Sequence, residues 1–203
     1  MTALLTQCSN EMADVSQQVC ASLVQIRTGR RGIGAGTIWH ADGLIVTNAH
    51  VVQGAANHDG ALIVGLADGR ELPAQIVAVS ATHDLALLRV ATHDLPVIRL
   101  GDSTKLEAGA MVFAYGFPWG VTGGATCGVV IESGGGVTSL PTVEGEWIAA
   151  SLHLRPGHSG GPMVDVTGAL VGINTMMNGP DVGVAVPVHL AQAFVQAALV
   201  THL

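Results

Sequence analysis

Gly157-His158-Ser159-Gly160-Gly161-Pro162, running on into the β-branched stretch from Val164 to Ile173, is the segment whose reading separates two folds. At this chain's own Gly, Ser and Pro frequencies, Gly-x-Ser-Gly-Gly-Pro arises by chance in roughly one such sequence in a thousand. A serine that attacks a carbonyl needs its Oγ exposed on a tight turn with backbone N–H groups converging on the oxyanion. Flanking glycines permit that crowded backbone. The same residues contain Gly157-x-Ser159-x-Gly161, the strand-to-helix elbow of α/β-hydrolases, and Asp181 and His189 follow in that fold's chain order. An elbow serine opens a helix, where Gly160 and Gly161 would each cost about 1 kcal/mol. Pro162 and β-branched residues follow instead, so the segment reads as a turn feeding a strand.

Working outward, the chain from Ser22 repeats that pattern. Short apolar runs (Leu23–Ile26, Gly36–Trp39, Leu44–Thr47, Leu62–Leu66, Ala74–Ser80, Leu85–Val90, and more after Met111) alternate with turn signals. Ala41-Asp42-Gly43 and Ala67-Asp68-Gly69 are placed as hairpin turns. The chain is expected to be all-β in two halves, about 22–100 and 101–187, within a single domain spanning 1–203. Leu4, Leu5, Cys8, Met12, Val15 and Val19 form one stripe on a short N-terminal helix that docks on the body. Residues 188–203 form a closing helix after Pro187, with Leu190, Phe194, Ala197 and Ala198 on one face.

Composition narrows the function classes. Of 203 residues, 49% are hydrophobic, only 11% are charged and 27 are Gly, a balance too apolar for disorder and too Gly-interrupted for a helical bundle. Eight Lys+Arg against fifteen Asp+Glu give a net charge of −7, with the cations single or paired as in Arg30-Arg31. No phosphate-tracking nucleic-acid surface is expected. No apolar run is long enough for a membrane helix, and the first ten residues lack a basic then apolar leader. Three cysteines, Cys8, Cys20 and Cys127, form an odd set that reads as free thiols in a reducing compartment. A cytoplasmic location is expected over a periplasmic one.

A nucleophile needs a base, and the base needs an orienting carboxylate. His50 stands where the apolar strand Ile45-Val46-Thr47 ends in Asn48-Ala49, so its ring can face a cleft. Asp84 opens Leu85-Ala86-Leu87-Leu88, where a carboxylate can be held partly buried. Asp94 repeats the Thr-His-Asp-Leu context but leads into Leu95-Pro96, which breaks a strand, so the carboxylate is Asp84. Nine His, with His-Asp pairs at 58, 83 and 93, raise a metal hydrolase as a further class. No H-E-x-x-H and no helix-spaced His pair supports it, and neither metal nor cofactor is expected.

With these residues in place, the chain resembles the trypsin-like serine peptidases, specifically the bacterial HtrA (Deg) branch, over roughly residues 22–190. The resemblance rests on Gly34-Ala-Gly36, Ala41-Asp-Gly-Leu-Ile-Val-Thr-Asn-Ala-His-Val-Val52, Asp84-Leu-Ala-Leu-Leu88, Leu100-Gly-Asp-Ser103, Ala114-Tyr-Gly-Phe-Pro-Trp-Gly120, Pro156–Pro162, Gly172-Ile-Asn-Thr175 and Gly183-Val-Ala-Val-Pro187. It implies two packed six-stranded antiparallel β-barrels with the site in the cleft between them. His50 is then the general base, Asp84 its orienter and Ser159 the nucleophile, with the N–H groups of Gly157 and Ser159, joined by that of His158, at the oxyanion hole. The implied activity is endopeptidase cleavage of unfolded or flexible polypeptides through an acyl-enzyme. The competing class is a catalytically silent binding or scaffold module, or a zymogen-like protease that a partner activates.

The departures from the family pattern carry expectations of their own. No PDZ-length segment follows residue 203, and no aromatic residue precedes Trp39, whereas the family's trimers are pinned by N-terminal aromatics; the oligomeric state is left open, with a trimer disfavoured. His158 replaces the usual Asn. By position His153 forms the base of the substrate pocket, with Leu154 beside it, Met176-Met177 along one wall and Gly183 leaving the opposite wall open. No Asp or Glu is at the base, so an aliphatic P1 residue is expected and a basic one would be buried unpaired.

Overall fold

The computed structural model describes residues 2–28, 32–56, 61–134 and 145–201; Arg30-Arg31, the pair at 58 and the last two residues lie outside these. Twelve strands form two closed antiparallel barrels. The first is built from β1 (Leu23–Thr28), β2 (Gly32–His40), β3 (Leu44–Thr47), β4 (Leu62–Gly65), β5 (Glu71–Ser80) and β6 (Leu85–Val90), in the neighbour order β1-β2-β3-β6-β5-β4. The second is built from β7 (Met111–Gly116), β8 (Gly124–Gly134), β9 (Trp147–Ser151), β10 (Pro162–Asp165), β11 (Leu170–Met177) and β12 (Val182–Pro187), in the order β10-β11-β12-β9-β8-β7. Closure comes from β1 on β4 (Ile26↔Val64) and from β10 on β7 (Val164↔Phe113), so each sheet closes on itself, with β10 pairing β11 only between Leu170 and Ile173.

Strand alternation sorts the apolar residues into three cores. Val24, Ile26, Ile38, Ile45, Val64, Ala86 and Leu88 fill the first barrel, and Val112, Ala114, Ile148, Ala150, Met163 and Val171 fill the second. Their strand neighbours point the other way. Leu23, Leu44, Val46, Leu85 and Leu87 of the first barrel meet Phe113, Tyr115, Val164, Ile173 and Val186 of the second. Strands β3 and β6 are therefore buried on both faces, the physical reason that Leu44–Thr47 and Leu85–Leu88 read as unbroken apolar runs. The cleft between barrels is lined by the ends of these doubly buried strands.

The helices depart from expectation in detail. Among the described residues helix α1 (Thr2–Ala21) is buried at its C-terminal end: Val19 is buried, Val15 packs beside it and Ser16 Oγ lies 2.8 Å from Tyr115 Oη. Leu4, Leu5, Cys8 and Met12 are exposed, because a 20-residue helix about 30 Å long outruns the surface offered to it. A further helix, α2 (Ala49–Ala56), follows β3. Helix α3 (Val188–Thr201) buries Val188, Ala191, Val195 and Ala198, with Leu190 and Phe194 half-buried and Ala197 exposed. Its inward face is thus rotated by about one residue from the expected one.

Candidate active site

Each element delivers one group to the cleft. Strand β3 ends at Thr47, and His50 is the second residue of α2, its ring 44% exposed. Asp84 sits in the turn before β6 with φ +50°, and its side chain is 14% exposed. One carboxylate oxygen accepts the His50 backbone N–H at 3.0 Å and the other lies 2.7 Å from His50 Nδ1. Thr175 Oγ1, from β11 of the second barrel, also donates to Oδ2, and Asn48 Nδ2 donates to the Asp84 carbonyl at 2.9 Å. Burial pushes the Asp84 carboxyl up, but the hydrogen bonds from His50 and Thr175 and the His50 charge outweigh it and leave its pKa below the ordinary carboxylate value. An ionised carboxylate only accepts, so Nδ1 carries a proton toward Asp84, and in the neutral imidazole the lone pair lies on Nε2. Asp94 pairs with exposed His93 on the surface instead.

The turn that carries Ser159 is clamped from both barrels. The Ser159 carbonyl accepts the N–H of Ala35 on β2 at 2.8 Å, the Ala35 carbonyl takes Thr47 Oγ1 at 2.7 Å, and Gly160 has φ +83° with its Cα against those same groups. Asn174 anchors the other side: its N–H donates to Gly161, its carbonyl accepts from Gly160, and its Nδ2 donates to the carbonyls of Pro162 and Tyr115. Ser159 Oγ donates to the Thr175 carbonyl at 3.1 Å, and among the described residues no hydrogen bond joins it to the His50 ring. Thr175 thus touches both Asp84 and Ser159.

Gly157 has φ +106°, and a Cβ there would stand 2.3 Å from the Phe117 carbonyl oxygen, so only glycine fits. The N–H groups of Gly157 and Ser159 donate to no protein acceptor among the described residues. That of His158 is taken by the Arg155 carbonyl at 2.9 Å, which removes His158 from the oxyanion donors expected of it. Its ring is 1% exposed beneath the turn. Nδ1 receives the Arg155 N–H at 3.0 Å, and Nε2 is buried facing the Gly124 backbone without meeting hydrogen-bond geometry. Burial holds its pKa below the ordinary imidazole value.

The pocket expectation needs correcting. After β9 the alternation continues, so Leu152 and Leu154 turn inward and His153 turns out, where its Nδ1 lies 3.3 Å from Asp181 on the surface. His153 is a rim residue. Gly183 leaves no open wall, because Leu152 and Leu154 already occupy the space its missing side chain vacates. Met177 closes the same corner, its Sδ receiving the Leu154 N–H, and Met176 is half-buried in the core between the barrels. Asp181 and His189 are far from an elbow arrangement, since His189 bonds Ser103 and Glu146. Thr175, Thr47 and Ala35 lie within the stretches that carry the resemblance, but nothing in the sequence assigned them a role: each reads as an ordinary strand residue until the barrels meet.

Residues 34–173 match the family model described as a trypsin-like peptidase domain. The chain belongs to the trypsin-like peptidases, in their HtrA branch. It is similar to a protein of Halomonas elongata (39% identical over 149 residues, 73% of this chain and 30% of the relative) and to one of Hahella chejuensis (39% over 164 residues, 78% and 34%), each named probable periplasmic serine endoprotease DegP-like. The solved HtrA-type protease AlgW with tripeptide superposes with a TM-score of 0.81 at 32% identity, covering 92% of this chain and 62% of that one. The chain spans about a third of the length of these curated relatives. Their periplasmic names overturn the expected cytoplasmic location. That expectation leaned on the first ten residues and on three unpaired thiols; all three are indeed free, but a free thiol does not identify a compartment. Among the described residues no helix is long and apolar enough to cross a membrane.

Proposed function

We propose that this chain is a serine endopeptidase acting on extended polypeptide, with both barrels and the closing helix working as one peptidase unit. The observation that carries the reading is the shared use of Thr175, whose hydroxyl steadies Asp84 against His50 while its carbonyl holds the Ser159 hydroxyl. In the reaction Ser159 Oγ would leave the Thr175 carbonyl for the Nε2 lone pair of His50. His50 would then accept its proton as Oγ attacks the scissile carbonyl, and the N–H groups of Gly157 and Ser159 would receive the oxyanion. Returning that proton to the leaving amine gives the acyl-enzyme, and water repeats the sequence to release the acid.

Substrate backbone has a place to pair. Strand β10 reaches β11 only as far as Ile173, so from Thr175 to Met177 the edge of β11 away from β12 is open to an added strand. The P1 residue would meet Leu154 and Met177, and with Leu152 closing the corner the pocket suits Val, Ala, Leu or Met. His153 is engaged with Asp181 at the rim and does not form the pocket base.

A second reading has one observation in its favour: Ser159 rests on Thr175 rather than on His50, as it would in a protease that a partner must switch on. A fluorophosphonate probe separates the two. Prompt labelling of Ser159 in the isolated chain, together with aliphatic P1 cleavage of an unfolded protein mixture, supports the peptidase; labelling only after a partner is added supports the switched form. No labelling under any condition leaves the binding module.

A further inference from the structure

We propose that Trp119 and Arg155 form a subsite for a carboxylate on the leaving-group half of the substrate, an inference that rests on the peptidase reading above. The side follows if the acyl half of the substrate is the part that pairs with β11. The nucleophile turn feeds β10, which lies between β11 on one flank and β7 on the other. Substrate paired to the open edge of β11 therefore leaves Ser159, past the scissile bond, toward the loop that follows β7. That loop is in contact with the oxyanion turn, since the Phe117 N–H donates to the Gly157 carbonyl at 2.9 Å and its own carbonyl packs on the Gly157 Cα. Trp119 is two residues further along.

Three features of the pair point to a ligand. Trp119 is 78% exposed, so its ring gains little from burial, yet it holds φ +53°, a conformation that costs a bulky residue about 1–3 kcal/mol. The Arg155 guanidinium lies 5.3 Å from the centroid of that ring, which braces a long cationic side chain in one place. In a chain with fifteen acids and only eight Lys or Arg, no Asp or Glu among the described residues stands within ion-pair distance of Arg155; Arg27, Arg70 and Lys105 have carboxylate partners, the Arg99 guanidinium donates to Thr167, and Arg89, like Arg155, has no carboxylate beside it but no aromatic ring to brace it either. A braced, unpaired guanidinium beside an exposed aromatic face matches an acidic side chain, or the chain-terminal carboxylate of a short substrate.

The test uses peptides with one common aliphatic acyl half that differ after the scissile bond, bearing Glu, Gln or Lys at the first or second position, each with a free or an amidated C-terminus. The Glu peptide is expected to exceed its Gln counterpart about five-fold in kcat/KM at low salt, with the preference fading as salt is raised. Arg155→Ala should bring that ratio close to one, Arg155→Glu should shift it toward Lys, and Trp119→Ala should weaken it while Trp119→Phe retains it. Because each ratio is taken within one variant, a general disturbance of the turn lowers both terms and leaves the reading intact. A preference that follows amidation instead of Glu assigns the terminal carboxylate as the ligand. Equal rates for Glu, Gln, free and amidated peptides, or a preference for Lys, overturn the subsite while leaving the peptidase standing. If no peptide is turned over, the peptidase reading itself fails, and the same ratios measured as binding of the leaving-half peptides decide the subsite.

Discussion

Replacing Gly157 by Ala tests the oxyanion assignment most directly. The added Cβ would stand 2.3 Å from the Phe117 carbonyl oxygen, 2.6 Å from its carbon and 3.0 Å from Pro118 N, all of them backbone atoms that cannot swing aside. Reaching ordinary contact requires a retreat of roughly 1 Å, a displacement that by itself can cost about a hundred-fold in a positioned reaction. The backbone torsion of +106° adds about 1–3 kcal/mol of strain for a residue with a side chain. Relief of both moves the Gly157 N–H away from the oxyanion, and loss of one such donor lowers kcat by about 10²–10³. The assay is kcat on one fluorogenic peptide, normalised to folded protein by thermal unfolding. Gly109→Ala serves as the control, because Gly109 also has a positive φ, +89°, but faces open space. It should lose about 1 kcal/mol of stability and keep its kcat. A folded Gly157→Ala enzyme with kcat within about three-fold of wild type would refute the reasoning.

Asp84→Asn should still fold, with a lower unfolding temperature because the carboxylate's charge-assisted hydrogen bonds are weakened, and should lower kcat on the order of ten-thousand-fold, since an amide no longer enforces the Nδ1–H tautomer of His50; a kcat loss below about ten-fold contradicts that role. His158 makes stability depend on pH: burial lowers its native pKa, so on acidification the unfolded chain takes up the proton first. Its contribution is complete above roughly pH 6.5 and declines as pH falls toward the native value, by at most about 1.4 kcal/mol per pH unit. The depressed Asp84 pKa contributes stability of its own, present above the ordinary carboxylate range and lost as pH falls through the native value. Chemical denaturation across that range should show His158→Asn flattening the first decline and keeping the second, and superimposable curves would dispose of the effect. Asn174→Ala should cost about 1–3 kcal/mol in urea unfolding because the Pro162 and Tyr115 carbonyls lose their donor; a change under about half a kcal/mol would show that water replaces it.

The strand segments and both hairpin turns were legible in the sequence because each depends on local chemistry, and the same local patterns singled out His50, Asp84 and Ser159 as candidates. Alternation, Gly in a turn and an apolar run before or after a polar residue act over fewer than ten positions. Asp84 was separable from Asp94 by the residues on its C-terminal side, Leu85-Ala86-Leu87-Leu88 against Leu95-Pro96, and the structure turns only the first toward His50. The pocket was less legible. Knowing that His153 precedes Ser159 by six residues does not reveal that β9 alternation continues past Ser151 and sends Leu152 and Leu154, not His153, inward. The dependence on one docking event is strongest for Thr175, 91 residues from Asp84 and a plain strand threonine in the sequence. Its hydroxyl meets Asp84 and its carbonyl meets Ser159 only when Leu85 and Leu87 of one barrel are buried against Ile173 and Val186 of the other. Local patterns determined which residues stand at the ends of strands, whereas the burial of apolar surface between two closed barrels, which no short-range pattern encodes, decided which of those ends face one another.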